Sequence, residues 1–297
     1  MIDSKDTVLS LHRITGLPIN VSEPFYSDYP SLKLGVDESV LHYAKLFASL
    51  VEQLITTTPN YKDWVLTAPA YNVIPAAANL LCWRVYDLLK SQLPTSITLS
   101  VINIRETNRF SEPEDPKTLK KSYDYSKLNW QERIKSRERS SHFIIQEPAF
   151  RDRVVIFVND INVTGTQQQF MQHYFEKVQA ATVYWLYVID IENSIGKSEP
   201  QLEHSINYSN FASFEEFAHI IAYANIQYTA KCIWRLFAYS VQELEQLFRT
   251  LDPDRKLKIL ELAVEEGRFN TDNFKEKIAL LRAYCAQDST NQLQHLR

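Results

Sequence analysis

One stretch, Val154–Gln168 (VVIFVNDINVTGTQQ), holds the groups best spaced for chemistry. An apolar run ends at Asn159 and Asp160. Thr164, Gly165 and Thr166 follow and open a glutamine-rich segment with helical character. A strand that turns tightly into a helix aims backbone N–H groups and the positive end of the helix dipole at one point, which suits a phosphate. Gly165 lets the backbone approach that phosphate with no Cβ in the way. Thr164 and Thr166 add hydroxyl donors. Asp160, read as lying just past the strand, can accept hydrogen bonds from sugar hydroxyls or help hold a metal ion.

The elements that must position these residues are read from periodicity. Residues 1–35 are expected to be irregular, punctuated by Pro18, Pro24 and Pro30. Val36–Ile55 has the three-and-four spacing of an amphipathic helix, with Asp37 as its N-cap. Trp64–Ala68, Ile97–Ile104, Val154–Val158 and Thr182–Ile191 are apolar runs of strand length. The turn Pro69–Asn72 and helices over Val73–Leu89 and Gln167–Val178 separate them. Such alternation predicts an α/β fold with a parallel sheet covered on both faces. The last hundred residues carry helical spacing over Ser213–Ala224, Thr229–Leu251, Arg255–Glu266 and Thr271–Ala286. The chain therefore divides into 1–35, an α/β core over 36–192 and a helical C-terminal extension over 193–297.

The Val154–Gln168 segment resembles the phosphoribosyl-pyrophosphate (PRPP) signature of type I phosphoribosyltransferases, and the order of elements over roughly 36–192 agrees with it. The resemblance implies that Asp160, assisted by Asn159, contacts the ribose hydroxyls. It also implies that Val163, Thr164, Gly165, Thr166 and Gln167 cradle the 5-phosphate. WVLTAPAYNVIPAAANLL resembles the family's first strand, pyrophosphate loop and following helix, which places Ala70, Tyr71 and Asn72 at the pyrophosphate. The charged stretch 107–142 stands where the family has a mobile hood. It holds eight basic residues between Lys117 and Arg139, and Tyr125 and Arg133 are the candidates to clamp pyrophosphate, against a plain reading of the stretch as a solvated helix face. Asn159 replaces the first acidic residue of the signature, Val163 stands where purine-type members carry a carboxylate, and Ala68–Asn72 has no glycine.

Two functions follow from the resemblance. One is an enzyme that binds PRPP with magnesium and displaces pyrophosphate with a nitrogen nucleophile from an unidentified small-molecule acceptor. The other is a PRPP- or nucleotide-sensing protein without turnover, with the C-terminal helices as its output surface. Composition narrows the field. A net charge of -4 gives no global basic field for nucleic acid or anionic membrane. The N-terminus has no apolar signal core and no apolar run is long enough to span a bilayer, so a cytoplasmic protein is expected. Cys82, Cys232 and Cys285 read as buried free thiols, and the histidines form no zinc pattern. Helix Ile220–Leu236 is expected to bury against the core, with a homodimer contact as the weaker alternative.

Only five glycines occur, against roughly twenty at average usage. Gly165 is assigned to the close approach of a phosphate, whereas Gly16, Gly35, Gly196 and Gly267 read as turns or helix stops.

Overall fold

The computed structural model describes residues 6–19, 24–106, 128–139, 143–144, 147–209 and 213–295. In chain order the first elements are β1 (Asp6–Ile14), α1 (Pro24–Leu34), α2 (Asp37–Thr57), β2 (Asp63–Thr67), α3 (Ala77–Leu89), β3 (Thr98–Val101) and the short β4 (Arg105–Glu106). Then come α4 (Trp130–Arg139), β5 (Phe143–Ile144), β6 (Val154–Asn162), α5 (Thr166–Lys177) and β7 (Thr182–Ile191). The C-terminal helices are α6 (Asn193–Ser198), α7 (Leu202–Asn207), α8 (Phe214–Tyr223), α9 (Ala230–Ala238), α10 (Val241–Thr250), α11 (Pro253–Glu266) and α12 (Asp272–His295).

Five strands form one sheet in the order β1-β7-β6-β2-β3, and every neighbouring pair is parallel. Side chains alternate across a strand, and the apolar runs use both faces. Trp64, Leu66, Val154, Ile156, Val158 and Leu186 pack with α1, α2 and α3. Val65, Val155, Phe157, Trp185 and Tyr187 pack on the other face with Met171 and Phe175 of α5. The expected α/β architecture with a parallel sheet is present.

The expectation of an irregular segment over 1–35 is corrected. Residues 6–14 form edge strand β1, paired in parallel with β7 from Asp6↔Val183 to Ile14↔Ile191. Residues 24–34 form helix α1 despite Pro30 inside it. A proline there removes one intrahelical hydrogen bond. Complete burial of Tyr29 and Leu32, with Tyr26 nearly so, outweighs that loss.

The C-terminal helices have their own apolar cluster, which includes Phe217, Ile233, Leu236, Phe248, Ile259 and Leu281. Leu34 at the end of α1 and Ile74 after β2 belong to that cluster, so the helices grip two elements of the α/β core. The single helix expected over Thr229–Leu251 is two helices. Ser240 starts the second one: its Oγ accepts from the Glu243 N–H at 3.2 Å, and the Glu243 carboxylate accepts from the Ser240 N–H at 2.7 Å. That reciprocal capping box is a helix start signal stronger than the apolar spacing that runs through it.

Cys82 and Cys232 are buried free thiols, and burial pushes both well above the ordinary thiol range. Among the described residues no helix is long and apolar enough to cross a membrane.

Candidate functional site

From β2 the chain moves to β3 on one side, while β6, on the other side of β2, continues to β7. The carboxyl ends of β2 and β6 therefore flank a topological switch point, where open parallel sheets take their ligands. The turn after β6 and the loop after β2 both leave from that point.

β6 runs further than the sequence suggests, through Asn159 and Asp160 to Asn162, so both residues lie within the strand. The turn that follows is built by side chains. The Gly165 N–H donates to Asn162 Oδ1 at 3.1 Å, and Asn162 Nδ2 donates to Asp190 Oδ1 at 2.8 Å. Burial pushes the Asp190 carboxyl up from the usual range, opposed by the Asn162 hydrogen bond and by Arg13. Gly165 has φ 71° and caps α5 in the left-handed region, where a side chain is strained. The Oγ1 atoms of Thr164 and Thr166 share a hydrogen bond at 2.8 Å. Val163 points its side chain into the core and offers the turn only its backbone.

Asn159 braces the turn from beneath. Its Nδ2 donates to the Ile161 carbonyl at 3.2 Å and to Gln167 Oε1 at 3.1 Å, and its Oδ1 accepts from the Asp160 N–H at 3.0 Å. Asp160 is buried, and its Oδ2 accepts from the Tyr29 hydroxyl at 3.3 Å and forms an ion pair with Lys33 Nζ. Burial, then the Asp160 charge, pushes the Tyr29 phenol far up, so it remains a donor. Sequence reasoning weighs Lys33 as a residue that could reach a phosphate and favours a plain turn at Gly35, and it pairs neither Lys33 nor Tyr29 with Asp160 because it reads α1 as irregular.

The reading of Gly196 as a turn or helix stop is corrected: it lies inside a helix, at a close approach of two backbones. A Cβ built on it would stand 1.6 Å from the Val163 carbonyl oxygen. It lies in α6 and lets that helix press against the back of the turn. The overall shortage of glycine was the one signal that marked it.

The loop after β2 is tied on several sides. The Tyr71 N–H donates to the Ile104 carbonyl at 3.3 Å, and the Arg105 guanidinium lies 4.2 Å over the Tyr71 ring while donating to the Asn72 carbonyl at 2.9 Å. Burial pushes the Tyr71 phenol up, against the opposing pull of Arg105. Asn79 bridges the loop to the start of α3, accepting from the Ala76 N–H at 2.8 Å and donating to the Pro69 carbonyl at 2.9 Å. The N–H groups of Val73 and Ile74 both donate to Glu266 Oε2, at 3.0 and 2.9 Å. These bonds, with Pro75 disfavouring helix before it, explain why α3 starts at Ala77 and not at Val73. Ala70 packs at the edge of the cluster under α5.

Of the hood candidates, Tyr125 lies outside the described residues, as does most of 107–142. Arg133 is buried in α4, and its guanidinium is engaged by Glu203 at 2.8 Å, the Pro200 carbonyl at 2.8 Å and the Leu128 carbonyl at 3.0 Å. Removing one partner of such a buried pair costs about 3–5 kcal/mol.

The donor set bears on magnesium. Asp160 is paired with Lys33, Asp190 with Asn162 and Arg13, and position 159 is a neutral carboxamide. Among the described residues no three His, Cys, Asp or Glu side chains converge. These side chains do not fit a resident magnesium ion.

A family model described as PRTase ComF-like matches residues 5–281. No curated protein matches the chain. The match takes in the edge strand β1, the sheet, the turn after β6 and the helices through α11, together with the first part of α12. With a parallel sheet whose switch point carries a glycine turn beside a buried carboxylate, the chain belongs to the ComF-like phosphoribosyltransferase family.

Proposed function

We propose that the protein binds PRPP at this switch point, with the 5-phosphate on the β6–α5 turn. The observation that carries the reading is the Gly165 turn, held by Asn162 and opening α5 beside Asp160. The first turn of a helix leaves N–H groups without intrahelical partners. Those of Thr166 and Gln167, with the Thr164 and Thr166 hydroxyls, would meet the phosphate oxygens. Asp160 would accept from the ribose hydroxyls, with Asn159 assisting through the turn it braces. Ala70, Tyr71 and Asn72 would border the pyrophosphate, and Arg105 beside them supplies a positive charge. Magnesium would arrive with PRPP, bound to its diphosphate.

In this reading the C1–O bond to pyrophosphate breaks and pyrophosphate leaves with the electron pair. A nitrogen of the acceptor bonds to C1 and loses its proton. Positioning and electrostatic stabilisation of the departing charge carry such a reaction, with no covalent enzyme intermediate.

A second reading, binding without turnover, is favoured by one observation. The Val73 and Ile74 N–H groups beside the pyrophosphate loop are engaged by Glu266 from the C-terminal helices. A protein so arranged would sense PRPP and pass the signal to those helices.

Saturating PRPP should raise the melting temperature, since a ligand at a hundred times its Kd stabilises by about 2.7 kcal/mol. Asp160→Ala and Gly165→Val should each abolish that shift while the proteins stay folded. A shift that survives both changes would remove the site assignment. Pyrophosphate release on incubation with PRPP and a panel of nitrogenous bases separates the two readings: release supports the transferase, and binding without release supports the sensor.

A further inference from the structure

We infer that Lys33 is the positioning residue of the ribose-binding carboxylate. Its ammonium, with the Tyr29 hydroxyl, holds Asp160 Oδ2 and supplies there the positive charge that a divalent cation would otherwise bring. The inference rests on the ribose-phosphate reading above and deepens it, by assigning how the sugar end of the site is charged and oriented.

Asp160 is 7% exposed and Lys33 reaches it from the last turn of α1, with little of the ammonium-bearing side chain in solvent. A buried carboxylate must be paired to persist as an anion. Both Lys33 and Tyr29 engage the same oxygen, Oδ2. Among the described residues no hydrogen bond engages Oδ1, so the carboxylate is clamped through one oxygen and keeps the other as an acceptor for a ligand. A hydroxyl pair of a ribose could then donate to an acceptor whose orientation is fixed before binding.

The same contact argues against a metal ion at this carboxylate. An ammonium in contact with Oδ2 and a divalent cation a few ångströms away repel each other strongly in a site of low dielectric. Position 159, a carboxamide already engaged at both its oxygen and its nitrogen, adds no negative charge to balance them. Among the described residues, the cation that meets the Asp160 carboxylate is thus the Lys33 ammonium.

The position of Lys33 is itself held. Its carbonyl accepts from the Thr229 hydroxyl at 2.6 Å, and Thr229 caps α9. Two residues further, the Gly35 carbonyl accepts from the Gln227 N–H at 2.9 Å. The C-terminal helices therefore reach the ribose end of the site through Lys33, as they reach the loop end through Glu266.

The test is calorimetric titration with ribose 5-phosphate, which has no diphosphate to carry magnesium, in EDTA and again in magnesium. The native protein should bind equally in both. Lys33→Arg keeps a cationic donor and should bind within about threefold of native, whereas Lys33→Met should bind at least about tenfold more weakly, the scale of a lost hydrogen bond to a charged group. Tyr29→Phe removes one hydroxyl from a buried ring and should weaken binding by about threefold, which keeps the test open if Lys33→Met fails to fold. Native binding that requires magnesium, or Lys33→Met and Tyr29→Phe binding as tightly as native, would overturn the inference and leave the ribose-phosphate site standing. Absence of binding by both the native protein and Lys33→Arg would overturn the site reading and the inference with it.

Discussion

Gly196→Ala is expected to cost the protein its ribose-phosphate affinity and about 3 kcal/mol or more of stability, although the residue touches no ligand. The added methyl would have to share space with the Val163 carbonyl oxygen 1.6 Å away and the Val163 carbonyl carbon 2.5 Å away. Both atoms are backbone, so no rotamer change relieves the clash. Either α6 moves outward or the turn moves toward the ligand. Val163 directly precedes the Thr164-Gly165-Thr166 turn, and a displacement of about 1 Å in a positioning element is enough to cost about a hundredfold. Titration with ribose 5-phosphate and thermal unfolding together measure both effects. Gly16→Ala is the matched control, because a Cβ there meets nothing within 4 Å. If Gly196→Ala behaves like Gly16→Ala, the packing of α6 against the turn does not hold the site.

Glu266→Ala is expected to be the most destabilising single change at the loop end of the site. The Glu266 side chain is 1% exposed. Its Oε2 accepts from two successive N–H groups, its Oε1 lies 2.6 Å from Arg268 Nε, and its own carbonyl accepts from Asn72 Nδ2 at 3.2 Å. Truncation leaves two backbone donors without their acceptor and removes the contact to Arg268, a loss of about 3 kcal/mol after allowing for the partial exposure of Arg268. The readout specific to this contact is amide hydrogen exchange. The Val73 and Ile74 amides should exchange much faster in the variant, while the amides of the inner strand β7 change little. Glu266→Gln keeps an acceptor but not the charge, and should fall between. Unchanged exchange at Val73 and Ile74 would show that the helices do not fasten the loop.

These two residues also mark how far the sequence could be read. The apolar runs that make β2, β6 and β7 are continuous because both faces of a parallel sheet are covered, and Thr182–Ile191 is a strand over the same residues that its composition suggests. The NDINVTGTQQ segment carried the turn, the helix start and the acidic position in one stretch, so its local chemistry was legible. β1 was not: DTVLSLHRI has the short polar–apolar alternation of an edge strand, broken by His12 and Arg13. α1 was hidden by Pro30, because local propensity disfavours the helix that tertiary burial of its tyrosines sustains. Losing α1 meant losing Lys33 and Tyr29 as partners of Asp160.

Glu266 and Gly196 act across the fold, on Val73 and Val163, and no local pattern announces such contacts. Each left a trace all the same. A carboxylate closing the last turn of α11 opposes the helix dipole, which favours cations there. Its use as an acceptor for the loop after β2 accounts for that. The helix over Thr229–Leu251 failed for the opposite reason: the Ser240–Glu243 capping box was in plain view, but an unbroken apolar stripe masked it.

The measurement that bears most directly on the central claim is a crystal structure of the protein soaked with PRPP and magnesium. The 5-phosphate should lie on the turn Val163–Gln167, at the N-terminus of α5, with the ribose hydroxyls on Asp160 Oδ1, Lys33 still on Oδ2, and the diphosphate toward Ala70–Asn72 and Arg105. A turn that stays empty, with PRPP seated elsewhere on the chain, would contradict the account.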